Sequence, residues 1–384
     1  MRAQHFLVSS FEAMTFGAAL LAFSALGQAT GSGTLPKSAT LKETFKDAFY
    51  VGVAVNSSQI TGADSEGDAL IVQQFDSITP ENVMKWALIH PRPDAYDFSL
   101  ADKYVEFGQL HKMFIVGHNL CWHSQTPAWV FKDDKGNALT REALLERLHD
   151  HIRTVVGRYK GKVQSWDVVN EALNEDGTMR QSQWEKIIGD EYFVKAFQWA
   201  HEADPAAQLN YNDYNMENPA KRKGAIELVK KLRAAGVPIA VVGSQAHLHL
   251  YERAAADEEA AIEELSAAGV KVAITELDID VLPSAWEHTA DVGVKVEQKP
   301  NMNPYSGGLP EDVQQKLTKE YADLFSVFWK HRDVLNRVTL WGTTDKTSWL
   351  NNFPVHGRTS YPLLFDREGK PKPAYYAVLK GAQN

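Results

Sequence analysis

The stretch VQSWDVVNE at residues 163–171 is the strongest indication of the fold and of the functional site. It begins as a mostly apolar run with β-branched and aromatic residues, which is typical of a buried strand. It ends in an amide and a carboxyl, Asn170 and Glu171, and such groups at the end of a buried strand point into a site. A second run, VKVAITE at residues 270–276, ends in Glu276 in the same way. We therefore expect Glu171 and Glu276 to face each other across one cleft.

Working outward from this stretch, strand-like runs alternate with helix-like runs to the C-terminus. The eight predicted strands are residues 49–55, 71–78, 113–119, 163–170, 208–213, 239–245, 270–276 and 337–342. Several are almost continuously apolar, as expected of parallel strands that are covered on both faces. This pattern predicts an α/β fold, a single (β/α)8 TIM barrel with enlarged βα loops. A doubly wound open sheet is the competing architecture, although no Gly-x-Gly-x-x-Gly follows the first strand.

Four amphipathic helices are predicted between these strands from apolar residues that share one helical face. Gly157 is expected to end the first, Gly236 and Pro238 the second and Gly269 the third, whereas Pro310 opens the fourth. Their predicted buried faces are, in order, Leu145, Leu148, Ile152 and Val155; Ala225, Val229 and Leu232; Ala261, Ile262 and Leu265; and Val313, Leu317, Tyr321, Leu324 and Phe328. A long loop at residues 283–309, after the seventh strand, is predicted to shape one end of the cleft.

Composition limits the classes of function. The chain has 384 residues, 44% hydrophobic and 23% charged, with a formal net charge of -9, so a large core is expected and a nucleic-acid partner is not. Its single cysteine, Cys121, excludes an intramolecular disulfide and is expected to be a small buried side chain.

The N-terminus resembles a secretory signal peptide. An apolar run at residues 13–26 follows Arg2, and small residues come after it, including Gly27 and Ala29. We expect a signal peptide over residues 1–29, a linker over 30–40 and one catalytic barrel over 41–384. This organisation predicts a secreted or periplasmic monomer with no membrane association after the signal is removed.

Polar residues gather where the predicted strands end, and in a closed barrel these ends form one ring. Two carboxyls among amides and aromatic rings favour glycoside hydrolysis, which needs one protonated carboxyl and one ionised carboxyl. Taken singly, Glu171 could instead be a helix cap and Glu276 a salt-bridged strand end. Lys85 could be an exposed helix lysine, and Asn212 a cap of the turn after the fifth strand.

The motifs WDVVNE at 166–171 and TELDI at 275–279 resemble the catalytic pair of glycoside hydrolase family 10, the endo-β-1,4-xylanases. Further motifs resemble the family in the same order, at residues 81–86, 117–129, 212–215, 243–248 and 341–350. The resemblance implies Glu171 as general acid/base and Glu276 as nucleophile of a retaining mechanism. It also implies that the two carboxyls lie about 5–5.5 Å apart.

The same resemblance implies roles for the other residues. Asn170 would bond the sugar 2-hydroxyl, and His247, with Asp278 behind it, would orient Glu276. Sugar-binding side chains would be Glu81, Asn82, Lys85, His118, Trp122, Gln125, Tyr214, Gln245, Trp341 and Trp349. The expected partners are xylan and xylo-oligosaccharides, without a cofactor or metal.

Other functions stay open at this point. His247 and His249 have the alternating spacing used by metal-dependent barrel hydrolases. A non-catalytic sugar-binding protein, or a preference for cellulose or mixed-linkage glucan, are the remaining alternatives.

Overall fold

The computed structural model describes residues 39–250, 254–284, 297, 299 and 301–381. The predicted signal peptide and residues 30–38 of the predicted linker lie outside the described residues. So do residues 285–296, 298 and 300 of the predicted 283–309 loop, and the role predicted for that loop stays a prediction. Among the described residues, no helix is both long and apolar enough to span a membrane.

Eight parallel strands close into a barrel, which confirms the predicted architecture over the open sheet. The strands of the described chain are β1 (Tyr50–Val55), β2 (Ser77–Pro80), β3 (Phe114–Trp122), β4 (Ser165–Asn170), β5 (Gln208–Asp213), β6 (Val241–Ser244), β7 (His247–His249), β8 (Lys271–Asp280) and β9 (Leu335–Leu340). Each of β1 to β6 pairs with its sequence neighbour, and β6–β8, β8–β9 and β9–β1 complete the ring. The short β7 extends the ring on one side by pairing with the end of β8.

Helices cover the outside of the barrel between successive strands. They are α1 (Leu41–Phe45), α2 (Ser57–Ile60), α3 (Ser65–Gln74), α4 (Trp86–Ile89), α5 (Ser99–Leu110), α6 (Arg141–Arg158), α7 (Gln183–Ile188), α8 (Glu191–Ala203), α9 (Pro219–Ala234), α10 (Ala254–Ala267), α11 (Glu311–Lys330) and α12 (Pro373–Gly381). Because all eight barrel strands are parallel, their carboxyl ends meet at one rim.

The largest corrections to the predicted strand bounds concern three strands. Residues 71–74 belong to α3, because the Asp64 side chain caps that helix at the backbone N–H of Gly67, and β2 begins only at Ser77. The third and seventh strands are longer than predicted and continue to Trp122 and Asp280. The polar residues at their ends therefore belong to the sheet. The direction of each of these side chains is set by the alternation along a strand and not by the conformation of a loop.

The predicted helix faces are largely correct, with two differences on α6. Leu144, and not Leu145, is fully buried beside Leu148 and Ile152. The helix also continues through Gly157 to Arg158, because Gly157 does not adopt the left-handed conformation that ends a helix. Lys85 is buried and precedes α4, so the alternative prediction of an exposed helix lysine is wrong.

The two faces of β4, the strand within residues 163–171, have different contacts. Trp166 packs on Gly117 of β3, where an added Cβ would lie 2.1 Å from the indole ring. Asp167, on the opposite face, points into the barrel, because its carboxylate lies 3.6 Å from Arg337 of β9, a strand that is not a neighbour of β4 in the sheet. His118 also binds Asp167, with 3.0 Å between Nδ1 and Oδ2. The barrel interior therefore carries a charged, hydrogen-bonded column that ends at the carboxyl rim.

Because two buried histidines lie near α4, we expect the free energy of unfolding to fall in acid. His90 Nδ1 and His151 Nδ1 lie 3.4 Å apart, and the His151 ring stacks on Trp86 with a centroid distance of 3.6 Å. Burial lowers the pKa of both histidines, most strongly that of His151. Below about pH 6.5, the ordinary pKa of histidine, these side chains bind protons in the unfolded chain but stay neutral in the folded protein. This contribution to stability is complete above that pH and is lost as the pH falls.

The free energy of unfolding in denaturant, measured from pH 7 to pH 5, checks this expectation. Each histidine contributes a slope of up to about 1.4 kcal/mol per pH unit. His151→Phe keeps an aromatic ring against Trp86 and removes one titrating group, so its slope should be smaller. Replacement of the partly exposed His111 by Gln is the control. An unchanged slope in His151→Phe would contradict the prediction.

Candidate active site

A cleft of about 610 Å³ opens at the carboxyl rim of the barrel. It is lined by every predicted site residue except Asp278, namely Glu81, Asn82, Lys85, His118, Trp122, Gln125, Asn170, Glu171, Tyr214, Gln245, His247, Glu276, Trp341 and Trp349. Asp278 lies behind this lining and contacts His247 and Trp349. The fold thus brings together residues from seven of the barrel strands or the loops that follow them.

Glu171 lies directly after β4, and both its backbone and its carboxyl group are held by hydrogen bonds. Its backbone N–H donates to the Asn212 carbonyl at 2.8 Å, and its φ of 57° is left-handed. Its carboxyl accepts hydrogen bonds from Trp122 Nε1 at 2.8 Å and from Gln245 Nε2 at 3.0 Å. A non-glycine residue keeps such a backbone conformation only where its surroundings enforce it, and this often occurs at functional sites. The residue is 7% exposed, so its side chain faces the cleft from a fixed position.

Glu276 lies within β8 and has its own set of hydrogen-bond partners. Asn212 Nδ2 donates to Oε1 at 2.8 Å, and His247 Nε2 lies 3.2 Å from Oε2. Burial alone would raise the pKa of Glu276, but the hydrogen bond from His247 and the bond from Asn212 favour the charged form. The pKa of Glu276 is consequently lowered from its ordinary value. This carboxylate is ionised at neutral pH.

His247 is held as a cation by two carboxylates. Its Nδ1 lies 2.9 Å from Asp278 Oδ1, while Trp349 Nε1 donates to the other oxygen of Asp278 at 2.7 Å. Burial disfavours the imidazolium, but the charges of Asp278 and Glu276 outweigh it and raise the pKa of His247 to about 10. The chain Trp349–Asp278–His247–Glu276 therefore fixes both the charge and the orientation of Glu276.

Loss of His247 is expected to move the acid limb of the pH profile. A carboxyl group whose pKa is lowered is ionised above that pKa, and it loses its charge as the pH falls through it. His247→Asn removes the cation beside Glu276, so the pKa of Glu276 should rise. If activity needs Glu276 ionised, as the nucleophile role that the resemblance implies would require, the acid limb of kcat/KM should shift to higher pH. The pH dependence of kcat/KM measures this, with His331→Asn, on the outer surface beside Glu259, as the control. An acid limb that stays in place or moves to lower pH would refute the expectation.

Two residues contact both glutamates. Asn212 accepts the backbone N–H of Glu171 and donates to the side chains of Glu276 and Asn170, the latter at 2.8 Å. Gln245 donates its side-chain amide to Glu171 and accepts the backbone N–H of Glu276 through its carbonyl oxygen at 2.9 Å. Asn212 is the residue that sequence reasoning left open as a turn cap. Its place in the 212–215 motif, near the end of β5 and next to β4, is the signal of its part in the site.

A second polar group lies around Lys85 on the same side of the cleft as Trp122. Lys85 Nζ donates to Gln125 Oε1 at 2.9 Å and to Asn82 Oδ1 at 3.2 Å, and it lies 4.9 Å from the Trp122 ring centroid. Burial lowers the pKa of Lys85, which Glu276, Glu171 and Glu81 oppose. Burial also raises the pKa of Glu81 to about 7, although Lys85 acts against it. These donors and acceptors can bind sugar hydroxyls.

Aromatic rings enclose the cleft near His247. Trp341 meets His118 and His247 edge-on, with ring centroids 5.7 and 6.2 Å apart. Trp349 lies 4.9 Å from the His247 ring and stacks on Phe353. Flat rings beside polar groups are suited to the apolar faces and hydroxyl edges of a sugar chain.

Several residues of the cleft were not predicted from the sequence. Besides Phe353, the additional lining residues are Ser124, Asn215, Leu248, His249, Asp280 and Ser284. His249 Nε2 lies 2.7 Å from the Leu282 carbonyl oxygen, whereas both ring nitrogens of His247 contact carboxylates. The two histidines of the alternating pair therefore have different partners, and nothing in their arrangement favours the metal-dependent alternative.

The comparisons with known proteins agree with this geometry. A family model described as glycosyl hydrolase family 10 matches residues 40–381. The chain is 44% identical to endo-1,4-beta-xylanase A of Xylanibacter ruminicola, with 89% of this chain and 93% of that protein covered. It is 41% identical to a beta-1,4-xylanase of Dictyoglomus thermophilum, with 89% and 90% covered.

Solved structures give the same result. An endoxylanase of this family retrieved from a sugarcane soil metagenome matches with a TM-score of 0.84 and 48% identity, over 89% of this chain and 98% of that one. With one family model spanning the barrel and relatives this similar over most of their length, the chain belongs to glycosyl hydrolase family 10.

Proposed function

We propose that the protein is an endo-1,4-β-xylanase that cleaves xylan with retention of configuration. Two relatives that are more than 40% identical over most of their length are named endo-1,4-beta-xylanase A and beta-1,4-xylanase. The observation that carries the proposal is that Glu171 and Glu276 line one cleft and that Asn212 contacts both of them. Two carboxyls so arranged, one of them held ionised, are what a double displacement at a glycosidic bond requires.

In the proposed mechanism, Glu276 is the nucleophile and Glu171 the general acid/base. The ionised Glu276 oxygen forms a bond to the anomeric carbon, while Glu171 gives its proton to the glycosidic oxygen and the bond to the leaving sugar breaks. In the second step Glu171 takes a proton from water. The water oxygen bonds to the anomeric carbon, and the ester to Glu276 breaks. Asn170, anchored by Asn212, would bind the 2-hydroxyl of the reacting sugar.

The surroundings of the two glutamates support this division of roles. His247 and Asn212 hold Glu276 with its pKa lowered, which suits an anionic nucleophile. Among the residues that the structure describes, the hydrogen-bond donors to the Glu171 carboxyl are the neutral groups of Trp122 and Gln245. These donors orient the carboxyl in the cleft, as its proposed role as proton donor and acceptor requires.

The substrate is proposed to be a β-1,4-xylan chain, with Trp341 crowding the position where glucose carries its hydroxymethyl group. Lys85, Asn82 and Gln125 would bind hydroxyls on the non-reducing side, and Tyr214 would form a wall on the leaving-group side. The product profile on xylan beside carboxymethylcellulose tests this. We expect short xylo-oligosaccharides of several lengths from xylan and far slower release of reducing ends from the cellulose derivative.

The stereochemistry is tested separately by proton NMR of the first products. Cleavage with retention gives the β-anomer first, and mutarotation then adds the α-anomer. Initial α-product would overturn the double displacement. Release of xylose alone from chain ends would overturn the endo mode.

We also propose that residues 1–29 direct export and are removed. Sequencing the N-terminus of the protein recovered outside the cytoplasm tests this, and an intact Met1 would contradict it.

A further inference from the structure

Arg180 lies between the backbone of Glu171 and the ring of Tyr214, outside the cleft lining. Its Nε donates to the Glu171 carbonyl oxygen at 3.0 Å. Its Nη2 donates to the Tyr214 hydroxyl at 2.5 Å and to the Leu173 carbonyl at 3.4 Å. One planar guanidinium thus joins the segment that carries Glu171 to the wall of the cleft. Such a rigid fork fixes relative positions in a way that a single ammonium cannot.

The Tyr214 ring is fixed from a second direction. Lys221 Nζ lies 3.4 Å from the ring centroid and 3.0 Å from Asp213 Oδ1, and its side chain is fully buried. Lys221 also binds the Glu175 carboxylate at 3.1 Å. A buried ammonium so held cannot move aside, so the ring has one position relative to Arg180.

The Glu171 backbone needs this support. Its left-handed conformation is unfavourable for a residue with a side chain and persists only where the surroundings enforce it. Asn212 holds the N–H of Glu171 and Arg180 holds the carbonyl, so both of its backbone polar groups are anchored. The first of these anchors lies on β5 and the second lies in the segment that precedes α7.

We propose that Arg180 is a positioning residue that aligns Glu171 with a leaving sugar stacked on Tyr214. This inference rests on the proposed role of Glu171 as the acid. Arg180 does not contact the reacting atoms, and it acts by holding the proton donor and the leaving-group wall in one arrangement. When it is lost, Glu171 keeps its contacts to Trp122 and Gln245, but its distance to the glycosidic oxygen is no longer fixed.

A selective defect follows from this role. Departure of a sugar alkoxide needs proton donation, whereas departure of 2,4-dinitrophenolate does not. Because kcat/KM reports the step that forms the glycosyl-enzyme, it separates the two cases. Arg180→Gln should lower kcat/KM for xylopentaose by about 10²-fold, the cost of a misplaced catalytic group. With 2,4-dinitrophenyl xylobioside kcat/KM should stay near the wild-type value.

Arg180→Lys keeps the charge and loses the fork, so it should show the same selectivity. It also keeps the test decisive if Arg180→Gln fails to fold, as judged by thermal unfolding. Arg153→Gln, which removes an exposed arginine paired with Asp150, is the matched control and should leave both substrates unaffected. Equal losses on the two substrates, or no loss on xylopentaose, would overturn the proposal.

Glu171→Gln measured in parallel separates this inference from the proposed function. If Glu171→Gln shows the selective defect and the Arg180 variants do not, the positioning role alone is refuted. If Glu171→Gln lacks it, the assignment of Glu171 as the acid fails, and the positioning role fails with it. Selectivity in both supports both.

Discussion

Glu276→Gln is expected to lower kcat/KM by at least about 10⁴-fold on every substrate, whatever its leaving group. The amide cannot form the covalent intermediate, and the two bonds that hold the carboxylate, from Asn212 and His247, would meet a group without charge. A good leaving group gives no relief, because the missing step is attack on the anomeric carbon. Kinetics on xylopentaose and on 2,4-dinitrophenyl xylobioside measure both cases.

A matched control is available at another buried glutamate. Glu258 on α10 is fully buried, and burial together with the charge of Glu217 raises its pKa to about 8, so it is largely neutral already at pH 6. Glu258→Gln should therefore fold and keep its activity. For the nucleophile, Glu276→Ala with azide and the activated substrate should give the α-glycosyl azide. Formation of the β-azide by this variant would reverse the roles assigned to the two glutamates.

Glu171→Gln is expected to lower kcat/KM on xylopentaose by about 10²–10⁴-fold, the usual contribution of a general acid. With 2,4-dinitrophenyl xylobioside, kcat/KM should be little changed, whereas kcat should fall because the second step lacks its base. KM then falls together with kcat as the glycosyl-enzyme accumulates. This pattern follows only if Glu171 acts on the leaving group and on water and not on the anomeric carbon.

Azide gives an independent check on Glu171. In Glu171→Ala, azide attacks the glycosyl-enzyme without needing a base, so kcat on the activated substrate should recover and the product should be the β-glycosyl azide. Mass spectrometry should find xylobiosyl bound to Glu276 when azide is withheld. A variant whose kcat on the activated substrate equals that of the wild type would contradict the assignment of Glu171 as the base.

The sequence predicted the architecture because strands of a parallel barrel are buried on both faces and therefore stand out as apolar runs. It erred at residues 71–74, where Ile71 and Val72 resemble a strand but belong to a helix that Asp64 caps. It also ended β3 and β8 too early, since polar residues at a functional rim do not look like strand. The strand ends were therefore hardest to predict at the cleft.

Within the site, the resemblance to a family named the residues, and the fold supplied their contacts. Lys85 is the clearest case, because an isolated lysine before a short helix gives no sign that Glu81, Glu171 and Glu276 surround it. Arg180 and Asn212 carry no signal in the pattern of hydrophobic residues. Their importance comes from contacts between segments that are distant in sequence.

By itself, the sequence determined the parallel barrel, the burial of its strands and the placement of Glu171 at the end of a strand, since these follow from local periodicity, whereas Glu276 lies within β8 and not at its end. Only the tertiary structure decided which groups surround each carboxyl. The charge state of Glu276 depends on His247 and Asn212, and the backbone of Glu171 depends on Asn212 and Arg180. Electrostatic and hydrogen-bond effects act over a few ångströms in space and are insensitive to separation along the chain, so closure of the barrel was needed to define them.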